Sequence, residues 1–561
     1  MSFRSHYLRY DELTATLRGW AEAHPSFVRL QSLGKSPEGR ELWMLTLGPE
    51  PDRIRPAAWI DGNMHAVEVC GSSVALAMAE DVIALHAGAA TVRDLPKHLC
   101  DRLRETLFYV LPRMCPDGAE AVLREGRYVR SNARDRRPHA PVARWKWSDV
   151  DGDGLSFSMR QPSPQGDFIE AKEHPGVMLP RRLEDVGPFY KVYPEGHIEH
   201  WDGHRIPDPH YLSDNDVDLN RNFPHSWAPE PEQTGAGPHP GSEPESLAVI
   251  DWATAHTNIC AWLNLHTYGG LFIRPLGHAP DSKMDPMDLA MYRQVEAWGQ
   301  TYTGYPTVSG FHEFLYEPDK PLHGDLSDYA YLQRGALAYV CELWDLFARL
   351  GIARKKPFVD HYSHITREEV LRFAAWDAEH NKGRVFRPWK KAVHPQLGEV
   401  EIGGVDGRVG LWNPPLELIG ELCERHSQMF LRVAAMAPAL RVRGGAVRDL
   451  GGEVREVEIF VENEGYLPTY VLGSAKKKLP WDVRLFAEAE CDGCVLVSPA
   501  RVEVGHLEGW GKGVGTSSFG TRSDGNGTGR RIVFVVTGKG SVRVVAKGLR
   551  VGAVEVTVPV A

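Results

Sequence analysis

The chain has 561 residues, of which 42% are apolar and 25% are charged, and this balance excludes a disordered chain, a collagen and a coiled coil. Its net charge of −10 argues against a nucleic-acid-binding protein, which would present a basic patch. No apolar run approaches the roughly 18 residues that a membrane span needs, and no apolar stretch near the N-terminus resembles a signal peptide. We therefore expect a cytoplasmic protein with neither a nucleic-acid nor a membrane partner.

The N-terminal part of the chain alternates between helical and strand patterns. Leu13 and Leu17 recur at helical spacing, and Pro25 ends this first helix. The predicted strands that follow cover residues 42–47, 57–60 and 107–111, and a long predicted helix covers residues 72–86. Strands that alternate with helices indicate a largely parallel sheet covered by helices on both faces.

Residues 134–215 interrupt this alternation, because Pro, Gly, Asp and Trp are frequent there and periodicity is poor. We predict an irregular insertion whose tryptophans (Trp145, Trp147 and Trp201) roof a cleft. The alternation then resumes, with helices at residues 245–256, 288–302 and 366–380, strands at residues 260–265 and 335–341, and a last amphipathic helix that carries Leu418, Leu422, Phe430 and Val433. Residues 1–437 are therefore predicted to form one α/β domain around a mixed, mostly parallel sheet.

The pattern changes again after Pro438. Short runs rich in β-branched residues are separated by glycine and polar turns, and they lie at residues 457–461, 494–498, 532–536, 542–545 and 554–558. Short strands in regular succession are typical of a small antiparallel sandwich. We predict that residues 438–561 form a separate all-β sandwich.

A candidate metal site begins at His65 and Glu68, which lie where the strand at residues 57–60 ends and the long helix starts. Their three-residue spacing lets both side chains reach one cation. Taken alone, this spacing occurs by chance in many chains and favours an ordinary helix start. His266 changes the balance, because it ends a buried strand before a glycine turn, and sites in α/β sheets collect at the carboxyl ends of strands.

Two further segments carry residues that suggest chemistry. The segment Asp218-Leu-Asn220-Arg221-Asn places a carboxylate, an amide and a guanidinium within four positions. Glu342 ends the apolar run Leu-Ala-Tyr-Val-Cys, and an acidic residue at such a place is costly unless it is paired or functional.

Together these segments resemble the M14 zinc metallocarboxypeptidase family. The family's HxxE, its NRN segment, its strand-end His and its strand-end Glu all occur here, and in the family's order. The resemblance covers residues 7–342 with good motifs and extends more loosely to about residue 438. It implies the zinc carboxypeptidase fold for the α/β domain, and one zinc ion per chain held by His65, Glu68 and His266.

The resemblance also implies roles for the residues around that ion. Glu342 looks like the general base that takes a proton from the attacking water and later returns it to the leaving amine. Arg130 resembles the arginine that polarises the scissile carbonyl and holds the oxyanion. Asp218 resembles the carboxylate that orients the first histidine ligand, and Asn220 and Arg221 look like the clamp on the substrate's terminal carboxylate.

Several positions depart from the family pattern. Val67 stands where digestive members carry an arginine, and Cys115 stands where asparagine is usual. Tyr316 is the candidate for the family's mobile active-site tyrosine, although its spacing is imperfect and an ordinary loop aromatic fits it about as well. Ser327 looks like the residue that faces the floor of the family's specificity pocket, and a small polar residue there does not indicate which substrate side chain is preferred. The nearby Asp325 favours a basic side chain.

These observations predict a zinc-dependent metallocarboxypeptidase that hydrolyses the C-terminal peptide bond of peptides and needs a free carboxylate on its substrate. A zinc amidohydrolase that acts on N-acyl amino acids or on γ-glutamyl and murein peptides stays open, because its substrates also carry a free carboxylate. A catalytically silent binding protein on the same fold, or a chain whose sandwich is the functional part, is a further alternative. The intact set of His65, Glu68, His266 and Glu342 argues against a silent protein.

Overall fold

The computed structural model describes residues 2–131, 133, 142–208, 217–317, 320–511 and 527–561. The ends of the predicted insertion, residues 134–141 and 209–216, lie outside the described residues. The helices of the described chain are α1 (Tyr10–Ala23), α2 (Cys70–His86), α3 (Lys97–Leu103), α4 (Pro116–Glu125), α5 (Pro244–Ala255), α6 (Pro286–Thr303), α7 (Gly310–Glu313), α8 (Leu326–Leu332), α9 (Leu346–Arg349), α10 (Asp360–Ser363), α11 (Arg367–His380), α12 (Ile419–Ala434) and α13 (Gly473–Lys478). None of them is long and apolar enough to cross a bilayer.

The strands form one large α/β sheet and three sheets outside it. They are β1 (Val28–Lys35), β2 (Glu41–Leu47), β3 (Ala57–Gly62), β4 (Leu107–Leu111), β5 (Arg144–Trp147), β6 (Ser158–Pro162), β7 (Phe168–Glu170), β8 (Met178–Pro180), β9 (Phe189–Pro194), β10 (Gly196–Glu199), β11 (Ile259–Thr267), β12 (Leu271–Arg274), β13 (Thr307–Ser309), β14 (Leu337–Leu343), β15 (Phe386–His394), β16 (Gly398–Val405), β17 (Leu440–Gly451), β18 (Val454–Asn463), β19 (Leu485–Leu496), β20 (Arg501–Gly505), β21 (Gly529–Gly548) and β22 (Gly552–Val560).

The central sheet has eight strands in the order β1-β2-β4-β3-β11-β14-β12-β13. Its middle strands β4, β3, β11 and β14 run parallel, and antiparallel pairs join them to both edges. Side chains alternate between two buried cores: Ile60 and Leu263 face one, and Trp59 and Trp262 face the other. Both faces are therefore covered, which confirms the predicted mixed, mostly parallel sheet with helices on each side.

The prediction of an irregular insertion is wrong for its described part. Residues 142–208 contain β5 to β10, and four of these strands join a six-stranded sheet in the order β15-β16-β6-β9-β7-β8. Two partners of this sheet, β15 and β16, come from residues 386–405, far along the chain. Strands of three to six residues interrupted by Pro and Gly show no clear alternation, so their pairing with distant strands leaves no local signal.

The C-terminal region is β-rich and antiparallel, as predicted, but it also contains the short helix α13. Its strands follow the order β17-β18-β21-β19-β20, with β22 also paired to β21. The runs predicted at residues 532–536 and 542–545 are one strand, β21, which spans Gly529–Gly548. Because β18 pairs with the first half of β21 and β22 with the second half, a single strand holds the two parts of the sheet around one apolar core.

Arg550 connects this C-terminal sheet to the central sheet. It lies between β21 and β22 and is 1% exposed. Its Nη1 donates to the carbonyl oxygens of Ile259 and Gly335 at 3.1 and 3.2 Å, and its Nη2 donates to that of Arg334 at 2.7 Å. These carbonyls lie at the beginning of β11 and just before β14, so the C-terminal region supports the two strands that end in His266 and Glu342.

Candidate metal centre and active site

Three buried side chains converge at the carboxyl ends of β3 and β11. His65 and Glu68 lie between β3 and α2, and His266 lies near the end of β11, which is the parallel neighbour of β3. Nδ1 of His65 is 2.9 Å from Oε1 of Glu68, and Nδ1 of His266 is 3.0 Å from Oε2 of the same carboxylate. The two Nδ1 atoms are 3.0 Å apart. All three side chains are at most 3% exposed.

The other nitrogen of each imidazole is held by an acceptor outside this cluster. Nε2 of His65 is 3.1 Å from Oδ1 of Asp218, and Nε2 of His266 is 2.6 Å from Oδ1 of Asn264. The amide of Asn264 in turn donates to the buried Asp61 at 2.5 Å. These acceptors keep the proton of each ring on Nε2, so both Nδ1 lone pairs point to the centre of the cluster.

This donor set fits a zinc ion. Two imidazole nitrogens and a carboxylate oxygen face one another without a proton donor between them, and their ligand atoms lie within 4.8 Å of one another. Burial would raise the pKa of Glu68, but His65 and His266 outweigh it and hold that pKa well below its ordinary value. Zinc binds nitrogen and oxygen ligands of this kind, and three protein ligands leave a position for a reactant.

Glu342 lies beside the cluster at the end of β14, where the register places it opposite His266. Its Oε2 is shielded from solvent and has no hydrogen-bond partner among the described residues. Burial raises the pKa of Glu342 well above its ordinary value, the charge of Glu68 adds to this effect, and Arg130 opposes it. A half-buried carboxyl group with a raised pKa and an oxygen that has no partner among the described residues can both accept and donate a proton.

Arg130 and Asp218 form an ion pair at the edge of the cluster. Nε and Nη2 of Arg130 donate to Oδ2 of Asp218 at 3.2 and 3.0 Å, while Nη1 lies 3.6 Å from Oε1 of Glu68. Burial would raise the pKa of Asp218, but Arg130 and His65 lower it well below its ordinary value, so this carboxyl group is ionised. Asp218 therefore holds both the imidazole of His65 and the guanidinium of Arg130.

Asn220 and Arg221 lie next to this pair in the short 3-10 helix Leu219–Arg221. Oδ1 of Asn220 accepts a hydrogen bond from the backbone N–H of Leu326 at 2.9 Å, which leaves its Nδ2 group available as a donor. Nη1 of Arg221 donates to the carbonyl oxygen of Asn220 at 2.6 Å. The remaining guanidinium nitrogens of Arg221 form no ion pair among the described residues.

All of these side chains line one cavity of about 1180 Å³. Tyr316 lies at its rim and is 55% exposed. The predicted roof is wrong for the described part of the insertion: Trp145, Trp147 and Trp201 do not line the cavity, and Trp145 stacks on Tyr193 in a separate small core. Trp147 and Trp201 are half-buried outside the cavity.

Sequence reasoning missed several residues that shape the cavity. Tyr268 follows β11, and Tyr362 and Trp412 come from segments beyond the catalytic motifs. They belong to one apolar cluster, which forms part of the cavity lining. A local signal existed only for Asn264, which lies two positions before His266 and thus on the same side of the strand.

Two family models match this chain. The family described as zinc carboxypeptidase matches residues 13–173 and 189–350, which together are more than half of the chain. Residues 439–559 match a family described only as a domain of unknown function. Among solved structures, that of bovine thrombin-activatable fibrinolysis inhibitor in complex with tick carboxypeptidase inhibitor aligns with 77% of this chain and 98% of that chain, at 15% identity and a TM-score of 0.43.

Curated relatives match over a shorter region. The human carboxypeptidase N catalytic chain is 30% identical over 129 residues, which cover 22% of this chain and 26% of that protein. The zinc carboxypeptidase of Saccharothrix mutabilis subsp. capreolus is 32% identical over 136 residues, which cover 24% of this chain and 30% of that protein. The matches thus span less than a third of these relatives. The family match over more than half of the chain shows that this protein belongs to the M14 zinc carboxypeptidase family.

Proposed function

We propose that this protein is a metallocarboxypeptidase that releases the C-terminal residue of peptides, with one zinc ion bound by His65, Glu68 and His266. One observation carries the proposal. A buried His/Glu/His cluster, the carboxyl group of Glu342 and the guanidinium of Arg221 line the same cavity, and among the described residues Oε2 of Glu342 has no hydrogen-bond partner and Arg221 no ion-pair partner. A peptide with a free C-terminus matches this arrangement, because its carboxylate can bind Arg221 while its last amide bond lies near the cluster.

In this proposal the protein's own residues orient the substrate and move the proton. Zinc, when bound, supplies the Lewis acidity that makes water a nucleophile near neutral pH. Glu342 takes the proton of the attacking water at its free Oε2 and returns it to the nitrogen of the leaving amine. Nη1 of Arg130, which points toward Glu68, stabilises the negative charge that develops on the carbonyl oxygen.

We further propose that residues 1–437 form the catalytic unit and residues 438–561 an accessory unit. Support comes from the two separate family matches and from the separate apolar core of the C-terminal sheet. Because Arg550 binds the beginnings of β11 and β14, the accessory unit also supports the strands that carry the site.

We expect the purified protein to release single residues from peptides with a free C-terminus but not from the same peptides with an amidated C-terminus. Released amino acids are measured by mass spectrometry before and after treatment with 1,10-phenanthroline, and then after zinc is added back. The chelator should abolish release and zinc should restore it, because the proposed cluster is the metal site. Hydrolysis of N-acyl amino acids or γ-glutamyl peptides alone would instead favour an amidohydrolase, and bound metal without any hydrolysis would favour a binding protein.

Asn264→Ala is expected to weaken zinc affinity by about 10- to 100-fold, because His266 loses the acceptor that fixes its proton on Nε2. Zinc affinity is measured by competition with a chromophoric chelator. Asn258→Ala is the matched control, since Asn258 is a buried asparagine just before the same strand that bonds Arg55 and Tyr109 instead of a ligand. Wild-type affinity in Asn264→Ala would show that Asn264 does not orient His266.

A further inference from the structure

A buried asparagine far along the chain holds the backbone on both sides of the proposed metal ligand Glu68. Asn413 lies between β16 and α12 and is fully buried. Its Oδ1 accepts a hydrogen bond from the backbone N–H of Cys70 at 2.9 Å, and its Nδ2 donates to the carbonyl oxygen of Val67 at 2.8 Å. One side chain therefore bridges the stretch from Val67 to Cys70, which contains Glu68.

The backbone before Glu68 and the backbone after it are held by different segments. Before Glu68, the N–H of Ala66 donates to the carbonyl oxygen of Arg130 at 2.8 Å. After Glu68 the chain enters α2, and the first backbone N–H groups of a helix have no partner within it. The residue before α2 is Val69, whose side chain has no acceptor that could cap the helix. Asn413 supplies an acceptor from a distant segment.

The turn that carries Asn413 is itself fixed by several contacts. Nδ2 of Asn413 also donates to the carbonyl oxygen of Arg408 at 3.1 Å, and the carbonyl oxygen of Asn413 accepts a hydrogen bond from the N–H of Gly410 at 2.7 Å. Gly410 has a φ of +107°, and a Cβ at this position would lie 2.1 Å from Nδ2 of Asn381, so the turn requires glycine. These contacts fix the position from which Asn413 reaches the segment of Glu68.

Glu68 has to be placed accurately because its two carboxylate oxygens face different partners. Oε1 lies 2.9 Å from Nδ1 of His65, and Oε2 lies 3.0 Å from Nδ1 of His266. Oε2 also accepts a hydrogen bond from the backbone N–H of Thr267 at 3.1 Å. A functional site works only if its side chains stay within about 0.5 Å of their productive positions. A backbone shift at Glu68 would displace both oxygens from the imidazoles.

Asn413 lies outside both segments that match the zinc carboxypeptidase family, so the resemblance to that family assigns no role to it. We propose that Asn413 is a positioning residue for the metal ligand Glu68, an inference that depends on the proposed zinc site. It acts through the backbone of Val67 and Cys70. Its removal should therefore displace the carboxylate of Glu68 and leave His266 in place.

Asn413→Ala should weaken the zinc affinity of the metal-free protein by about 10- to 100-fold, which is the usual cost of losing a residue that orients a metal ligand. Affinity is measured by competition with a chromophoric chelator. The absorption spectrum of the cobalt-loaded protein provides a second measurement, because it reports the coordination geometry. The cobalt bands of Asn413→Ala should be shifted, since one of the ligands is displaced.

The effect should disappear once Glu68 is removed. In a Glu68→Ala background, adding Asn413→Ala should change the remaining zinc affinity by less than about twofold, because the ligand that Asn413 positions is no longer present. An equal loss of zinc affinity in both backgrounds would show that Asn413 does not act through Glu68, and it would overturn the inference.

Asn463→Ala is the matched control for a loss that is only structural. Asn463 is also buried, and its side-chain amide makes four hydrogen bonds to the backbone, with Ala439, Gly465, Leu467 and Glu508. Both alanine variants should be less stable in urea, because each leaves buried backbone groups without partners. Only Asn413→Ala should also lose zinc affinity and shift the cobalt spectrum.

If Asn413→Ala does not fold, Asn413→Ser replaces it in the same measurements, since a serine hydroxyl is too short to bridge both backbone groups. Unchanged zinc affinity and an unchanged cobalt spectrum in the variant would overturn the inference. Failure of the wild type to bind zinc would contradict the proposed metal site and this inference with it. Zinc binding by the wild type without release of residues from peptides would contradict only the proposed carboxypeptidase activity.

Discussion

Replacing Glu342 by glutamine is expected to lower kcat/KM for every peptide by roughly 100- to 10,000-fold, which is the usual contribution of a general acid–base group. Glutamine has nearly the same shape, so the cavity should keep its form, but its amide can neither take a proton from water nor return one to the leaving amine. The carboxyl group of Glu342 has a raised pKa and an Oε2 without a partner among the described residues. The amide of glutamine has no titratable group in that place. Steady-state kinetics on a single C-terminal peptide measures the loss.

Metal content separates this loss from a loss of zinc. Glu342 is not a member of the His/Glu/His cluster, so Glu342→Gln should bind one zinc ion per chain, as measured by inductively coupled plasma mass spectrometry. Glu296→Gln is the matched control: burial also raises the pKa of Glu296, but this residue pairs with Arg274 and does not line the cavity. The control should retain activity within about twofold. Activity of Glu342→Gln above about a tenth of wild type would rule out Glu342 as the proton carrier.

Replacing Arg550 by methionine should lower the free energy of unfolding by about 2–4 kcal/mol, because three buried carbonyl oxygens lose their donors. Methionine refills most of the volume, so the lost hydrogen bonds dominate. Burial lowers the pKa of Arg550, and Cys260 and Asp482 offset this effect only in part. Removing the buried charge is therefore favourable in itself, so the free energy of unfolding should fall by less than the combined strength of the three hydrogen bonds.

Urea denaturation followed by tryptophan fluorescence measures this loss. Arg543→Met is the matched control in the same region, because among the described residues Arg543 forms only exposed ion pairs, with Glu490 and Glu555. Its urea midpoint should stay close to that of the wild type. The same contacts predict that a chain cut after residue 437 is less stable than the full chain. Equal stability of Arg550→Met and wild type would show that the C-terminal region does not support β11 and β14.

Local pattern was sufficient wherever a feature depends on neighbouring residues. The strand predicted at residues 107–111 is β4, Leu107–Leu111, and the predicted long helix lies within α2, Cys70–His86. His65 and Glu68 meet because one turn of chain separates them, and His266 and Glu342 end apolar runs that can only be buried strands. Spacing of this kind is a property of the chain itself, so the α/β class could be inferred without coordinates. The grouping of Glu342 with His65, Glu68 and His266 came from the order of the motifs, which resembles that of the M14 family.

Contacts between distant segments left no such trace. The run Thr-Gly-Lys-Gly-Ser at residues 537–541 reads as a turn, yet it lies inside β21, because β19 and β22 bind the backbone on either side of it. The short strands of the insertion likewise depend on partners from β15 and β16.

The sequence by itself determined the α/β class, the order of the motifs and the residue types of the His/Glu/His cluster. Tertiary structure alone decided that Tyr362 and Trp412 line the cavity together with Glu342, and that Arg550 supports the strands beneath the site. It also decided that Asp325 lines this cavity with one oxygen that has no partner among the described residues. The physical reason is that burial and pairing depend on which distant segments meet, whereas spacing within one segment does not.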